Sequence, residues 1–224
     1  MLGFGRKKDE SYMGLAAVVT GLPRSGTSFV AGLIARLGLS PGPRLLLRPG
    51  NRHNRYGYYE HVPLNWITDR ILKEMGRDFD LNLPAGREEF SGLDLDRYRR
   101  KIKRKIQNGR VEVYKDNKLV LYPELYSEIF PQVRFIFVTR DADARFASRF
   151  GKTVARRKWE DFNERRLAMW LESPVSGTAL TLAYEDFFDD ARACVDKVCS
   201  YLELNAGEES RRKAAEFFRP AVKR

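Results

Sequence analysis

The feature that most constrains this chain is a short apolar run, a glycine-bearing turn and a helical stripe following one another near its start. Leu15-Ala-Ala-Val-Val-Thr20 is continuously apolar, the pattern of a parallel strand buried on both faces. Gly21-Leu-Pro-Arg-Ser-Gly-Thr-Ser28 follows at once. From Thr27 to Leu37 the apolar residues Phe29, Val30, Leu33, Ile34 and Leu37 recur at helical spacing, with Gly38 in the stop position. A glycine turn between a buried strand and a helix start places backbone N–H groups and the helix dipole where they hold a phosphate.

The same alternation continues along the chain. Val111–Tyr114, Phe135–Thr139 and Ala179–Ala183 read as strands, each followed by a stretch with helical spacing. This predicts an α/β fold with a central parallel sheet flanked by helices on both faces. At 224 residues and 43% hydrophobic composition, one well-buried core is expected, hence a single domain over 14–224 behind a flexible tail at 1–13. Leu39 to Glu60 is rich in Pro, Gly, Arg and Asn and reads as an ordered functional loop. The apolar run Leu15 to Val19 is far too short for a signal-peptide core or a membrane span, so a cytoplasmic location is expected.

The glycine turn is similar to GxxxxGK[ST], but Thr27 stands where the phosphate-binding lysine belongs, and Arg24 is the cation within the turn. A nucleotide-kinase reading loses its central cation there. It also needs a strand-end aspartate for magnesium, and the nearest candidate, Asp141, follows an arginine. Arg140 stands at the carboxyl end of a strand, the edge at which open α/β sheets bind ligands, and Ser148 follows roughly two turns into the next helix. A guanidinium fork with a hydroxyl suits a dianionic phosphate. The competing reading pairs Arg140 with Asp141 or Asp143.

PRSGTS in this setting resembles the 5′-phosphosulfate loop of the sulfotransferase family, with arginine at the cation position as in tyrosylprotein and many bacterial members. Arg140 followed eight residues later by Ser148 resembles the family's 3′-phosphate site, and Leu180-Thr-Leu-Ala-Tyr-Glu-Asp186 resembles its Tyr-Glu-Asp turn. The three elements run from Val18 to Asp186 in the family's order. The resemblance implies a P-loop NTPase-like sulfotransferase fold. It also implies 3′-phosphoadenosine 5′-phosphosulfate (PAPS) as donor, 3′-phosphoadenosine 5′-phosphate (PAP) as product and a hydroxyl or amine acceptor. By the same resemblance Arg24, Ser25, Gly26, Thr27 and Ser28 hold the 5′-phosphosulfate, Arg140 and Ser148 the 3′-phosphate, and Tyr184 lies near the adenine.

Sulfuryl transfer needs a base for the acceptor and cations near the oxygens that gain charge. Asn54-Arg-Tyr-Gly-Tyr-Tyr-Glu60 resembles an NxxGYxE stretch of bacterial and tyrosyl-type members, which implies Glu60 as base. His61 and His53 are alternatives in the same loop, and an ion pair to a neighbouring arginine is the competing role for Glu60. Tyr114-Lys-Asp-Asn117 resembles a KDP element that places Lys115 at the sulfate, with Asn117 in place of proline. That replacement loosens the backbone.

A net charge of +11 and a pI near 9.7 set the sign of the partners as anionic without separating nucleotides from nucleic acid or lipid headgroups. Arg97 to Arg110 carries Tyr98, Ile102 and Ile106 on one stripe and basic residues elsewhere. This predicts a docked helix whose outer surface is either simply solvated or a contact for an anionic acceptor or a membrane surface. Arg219 is left open as a further 3′-phosphate contact. Cys194 and Cys199, five apart on one helix, point roughly 140° away from each other, so no disulfide is expected. With two histidines and no CxxC, no metal is expected either. Two other functions remain: a phosphotransferase with a degenerate loop, and an inactive basic protein of the same fold that binds polyanions.

Overall fold

The computed structural model describes residues 14–51, 54, 57–80, 82–148 and 155–218. The expected tail at 1–13, His53 and Arg219 lie outside the described residues.

Four parallel strands form the sheet among the described residues: β1 (Ala17–Gly21), β2 (Val113–Lys115), β3 (Arg134–Thr139) and β4 (Leu180–Ala183), in the order β2-β1-β3-β4. The glycine-loop strand is therefore central, with Val19 opposite Lys115 on one side and Gly21 opposite Val138 on the other. Side chains alternate across it as the pleat requires. Val18, Phe135 and Phe137 enter one apolar layer, and Ala17, Val19, Ile136 and Val138 the other. The first layer is covered by α2 (Val62–Glu74), α3 (Asp96–Gly109), α4 (Glu124–Ile129) and α6 (Arg156–Leu171), the second by α1 (Thr27–Arg36), α7 (Asp186–Leu202) and α8 (Glu208–Glu216). The short α5 (Ala142–Ala147) follows β3. The chain is a single α/β domain.

Every expected strand is present, with shifted ends. The second starts at Val113 and not at Val111, because the Val111 N–H closes the end of α3 on the Ile106 carbonyl at 3.0 Å. The Glu112 and Val113 amides go to the Ser40 carbonyl, which ties the start of the long loop to this edge strand. Helix α1 stops where expected, with Gly38 at φ +116° just beyond it. Helix α3 buries Tyr98, Ile102 and Ile106, as its stripe predicts. Cys194 and Cys199 are both buried in α7. No helix among the described residues is long and apolar enough to cross a membrane.

His61 fills the seam between the long loop and α3. Its ring lies against Gly42 and Gly109, is almost wholly buried, and neither ring nitrogen has a hydrogen-bond partner. Burial, reinforced by the Lys105 charge, lowers its pKa to about 4. The unfolded chain takes up that proton near 6.5, so between these values the unfolded state binds more protons than the folded one. Stability attached to neutral His61 is thus present above about 6.5 and is lost as pH falls toward 4. Urea unfolding of the parent and of His61→Gln across this window checks it: the parent should lose stability more steeply, and parallel curves would show that the histidine is not buried neutral.

Candidate active site

All four strands point their carboxyl ends at one edge of the sheet, and a cleft of about 940 Å³ opens there. Its walls bring together residues far apart in sequence: Arg24 and Gly26 to Ser28 from the loop after β1, Glu60 from the long loop, Lys115 at the end of β2, Arg140 after β3 and Tyr184 after β4. Of the expected set, Ser25 and Ser148 do not line the cleft. Ser25 is fully buried within the loop, and Ser148 accepts a hydrogen bond from Arg24 Nε at 3.4 Å. Ser148 does not sit within a long helix. Helix α5 ends at Ala147 and Ser148 is its C-terminal cap, with its hydroxyl donating back to the Arg145 carbonyl at 3.0 Å.

The glycine loop is fixed from three sides. Gly26 has φ +94°, and a Cβ there would lie 2.3 Å from the Tyr184 ring, so only glycine fits between ring and helix start. Tyr184 also packs edge-on to Phe29 and takes the Arg140 guanidinium on its face at 4.6 Å. Its ring is nine-tenths buried, a packing role beside the nucleotide role the resemblance implies. Asn117 supplies the third side. Its amide donates to the Gly21 carbonyl at 2.7 Å and the Leu22 carbonyl at 3.2 Å, and its oxygen accepts from the Thr27 hydroxyl at 3.1 Å. The residue that breaks the KDP pattern thus braces the loop with its side chain. No local pattern signals this role, since the bonds cross 90 to 96 positions.

No side chain caps α1; of its first-turn amides, Phe29 N–H turns back to the Gly26 carbonyl at 2.9 Å, while those of Thr27 and Ser28 stand at the helix start, where no intrahelical carbonyl serves them. The Ser25 hydroxyl and Arg140 Nε are both buried without a partner. Asp141 caps α5 and Asp143 pairs with Arg156, which leaves Arg140 with no carboxylate among the described residues and removes the ion-pair reading of it. Burial lowers the Arg24 pKa; Tyr58 opposes that, and the nearby Arg140 charge adds to it. Two guanidinium groups close enough for one charge to act on the other are an arrangement that a bound anion stabilises.

Across the cleft, Lys115 Nζ donates to Glu60 Oε1 at 2.6 Å and Arg48 Nη1 to Glu60 Oε2 at 3.1 Å. Burial acts to raise the Glu60 pKa, but the two cations outweigh it and hold the carboxyl below the usual range. The ion-pair and site readings of Glu60 therefore coincide in one side chain. Its aim is set by Tyr59, at φ +53°, whose ring lies so close to Gly32 of α1 that a Cβ there would come within 2.7 Å. Arg36 donates to the Tyr59 hydroxyl at 3.2 Å. Asn54 donates to the Ser28 hydroxyl at 3.0 Å, which joins this loop to the glycine turn. His61, one residue on, faces away from the cleft into the seam described above.

Two further groups escaped the sequence reading. Strand β2 is directly followed by an aspartate, Asp116, which lines the cleft but is buried, with its oxygens engaged by the Lys118 amide and the Tyr114 hydroxyl. Burial pushes its carboxyl up against the opposing pull of Lys118. At the outer end, Trp66 and Asp69 of α2 join Asp78 and Asp80 on the rim. Among the described residues, no group of three or more His, Cys, Asp or Glu side chains is placed to hold a metal ion.

The profile of the sulfotransferase family matches residues 17–208, which include every element that builds the cleft. The chain belongs to the sulfotransferase family. Its fold is similar to that of a sulfotransferase from Mycobacterium tuberculosis H37Rv, at 13% identity and a TM-score of 0.56 over 91% of this chain and 71% of that one. A sulfotransferase from Mycobacterium avium is also similar, at 14% identity and a TM-score of 0.52 over 90% of this chain and 67% of that one. No curated protein sequence matches the chain. At these identities the likeness concerns the fold, and the sulfotransferase's own residues must carry any finer assignment.

The Asn117 brace is testable in this family member without a substrate. Asn117→Ala removes the side-chain bonds to the Gly21 and Leu22 carbonyls and to the Thr27 hydroxyl, so unfolding free energy in urea should fall by about 1–2 kcal/mol. An unchanged value would show that water replaces the amide without loss.

Proposed function

We propose that this sulfotransferase moves the sulfuryl group of PAPS to a hydroxyl or amine acceptor and releases PAP. One observation carries the reading: the Lys115–Glu60 pair faces the Arg24–Arg140 end of the glycine loop across a single cleft. One end is suited to an anion, and the other offers a carboxylate beside a cation.

In this reading the α1 amides, with Ser25, Thr27 and Ser28, hold the 5′-phosphosulfate, while Arg140 and Ser148 hold the 3′-phosphate and Tyr184 borders the adenine. The acceptor oxygen attacks sulfur as its proton passes to Glu60, and the bond from sulfur to the phosphate oxygen breaks. Charge gathers on that leaving oxygen, where Arg24 and Lys115 oppose it. The depressed pKa of Glu60 keeps it ionised at neutral pH but makes it a weak base. Donor oxygens that draw Lys115 away would return basicity to the carboxylate at the moment it is needed. Lys115 thus links donor occupancy to base strength.

The donor assignment predicts that PAP raises the melting temperature well above the shift given by ATP or AMP, because PAP alone of the three has a 3′-phosphate. Arg140→Ala should remove most of that advantage and leave AMP binding nearly unchanged. Equal shifts for all three nucleotides would sink the assignment and favour the polyanion-binding reading.

For the chemistry, Glu60→Gln keeps size but cannot accept a proton. Sulfuryl transfer from labelled PAPS should fall by about 100-fold or more while PAP affinity stays within a few-fold. His61→Asn should retain turnover, since that ring lies outside the cleft. The opposite pattern, with circular dichroism showing both variants folded, would give the base role to the histidine.

A further inference from the structure

The cleft leaves unexplained a strongly basic surface on α3. From Arg97 to Arg110 the chain has no acidic residue, and α3 turns Tyr98, Ile102 and Ile106 inward while Arg100, Lys101, Lys103, Arg104 and Lys105 stay exposed. Other helices of this chain neutralise their cations locally. Arg156 pairs with Glu160 on α6, Arg192 with Asp196 on α7, and Arg212 with Glu216 on α8, each four residues apart. On α3 the ion pairs among the described residues are made in the first turn, through Arg97 and Arg99. Beyond it, among the described residues, no carboxylate pairs with Arg100, Lys103, Arg104 or Lys105, and like charges stand four apart at Arg100 and Arg104 and at Lys101 and Lys105. Such spacing works against the helix. An ordinary solvated face has no need of it.

A second observation lies beside this surface. The turn Arg44–Leu46 carries Leu45 at 98% exposure and Leu46 at 37%, an apolar tip between Pro43 and Arg48. The tip adjoins the carboxyl end of α3. A Cβ on Gly109 would lie 3.8 Å from Pro43, and the His61 ring bridges Gly42 and Gly109. Exposed leucines next to uncompensated lysines and arginines are the two signals of interfacial binding: apolar insertion and attraction to anionic headgroups. A nucleic acid or a sulfated glycan would use the charge and leave the leucines idle.

We propose that the exposed face of α3 and the Leu45–Leu46 tip form one docking surface for an anionic lipid membrane. The surface is distinct from the cleft and does not depend on the donor assignment. It is connected to the cleft through the chain: Leu47 pairs with His61 in an antiparallel bridge, and the Arg48 amide donates to the Glu60 carbonyl at 2.8 Å. Docking at the tip therefore acts on the loop that presents Glu60.

Co-sedimentation of the full chain with vesicles of phosphatidylcholine, with and without phosphatidylserine, tests the proposal. Binding should be at least about tenfold tighter when phosphatidylserine is present and should weaken with salt. The double variant Lys101→Glu/Lys105→Glu should reduce it by about tenfold or more, and Leu45→Asp should reduce it several-fold on the same vesicles. Unchanged thermal melting and PAP-induced shift would confirm that both variants keep fold and cleft, so failure here is distinguishable from failure of the donor reading. Absent binding, equal binding to both vesicle types, or loss in the charge variant with none in Leu45→Asp overturns the proposal. The last outcome, with tight binding to heparin or duplex RNA, would make the face a general polyanion surface.

Discussion

The parallel pairing of β1 on both sides is the constraint on which the rest of this structure depends. A parallel strand flanked by parallel neighbours sends its carboxyl end, and theirs, to one edge. The glycine loop, Arg140 and Tyr184 each follow a strand end directly and Lys115 is the last residue of β2, so the sheet delivers them to a common cleft. Connections through helices are long enough to cover both faces, which is why the strands are buried on both sides and read as nearly unbroken apolar runs.

That edge concentrates charge that the rest of the molecule neutralises elsewhere. Ion pairs are plentiful on the helices, yet Arg140 has no carboxylate among the described residues, and the Ser25 hydroxyl is buried without a partner. Glu60 shows the opposite imbalance, one carboxylate held by two cations. Both imbalances are costly in a part-buried site unless a ligand corrects them. An anion at the glycine loop would relieve the first and, by competing for Lys115, alter the second. The other end of the cleft, with Trp66 and a rim of aspartates, is built from α2 and the segment after it and carries none of the motifs singled out in the sequence.

The basic face of α3 follows a different logic. Its inner stripe is a packing solution, and among the described residues no carboxylate pairs with Arg100, Lys103, Arg104 or Lys105, so the helix serves the core with one side and presents cations on the other. The adjoining leucine tip gives that field an apolar companion.

Sequence alone determined the secondary elements and the parallel sheet, because these depend on local periodicity and on motifs whose members lie within a few residues of each other. Lys115, Arg140 and Tyr184 were legible as strand-end residues, and Arg24 as the cation of the glycine turn, for this reason. Contacts between distant segments decided the remainder. His61 looked equivalent to Glu60 from its place in the loop, but the packing of Gly42 and Gly109 turned it into a seam. Asn117 looked like a lost proline and is a brace, because its partners Gly21, Leu22 and Thr27 are brought to it only by β1–β2 pairing. Asp116 directly follows a strand, the position of a metal-binding aspartate, yet tertiary burial commits its oxygens to Tyr114 and Lys118. A side chain's role at a site follows from which groups satisfy its hydrogen bonds and charge, and those partners are fixed by the three-dimensional meeting of segments that the linear pattern leaves independent.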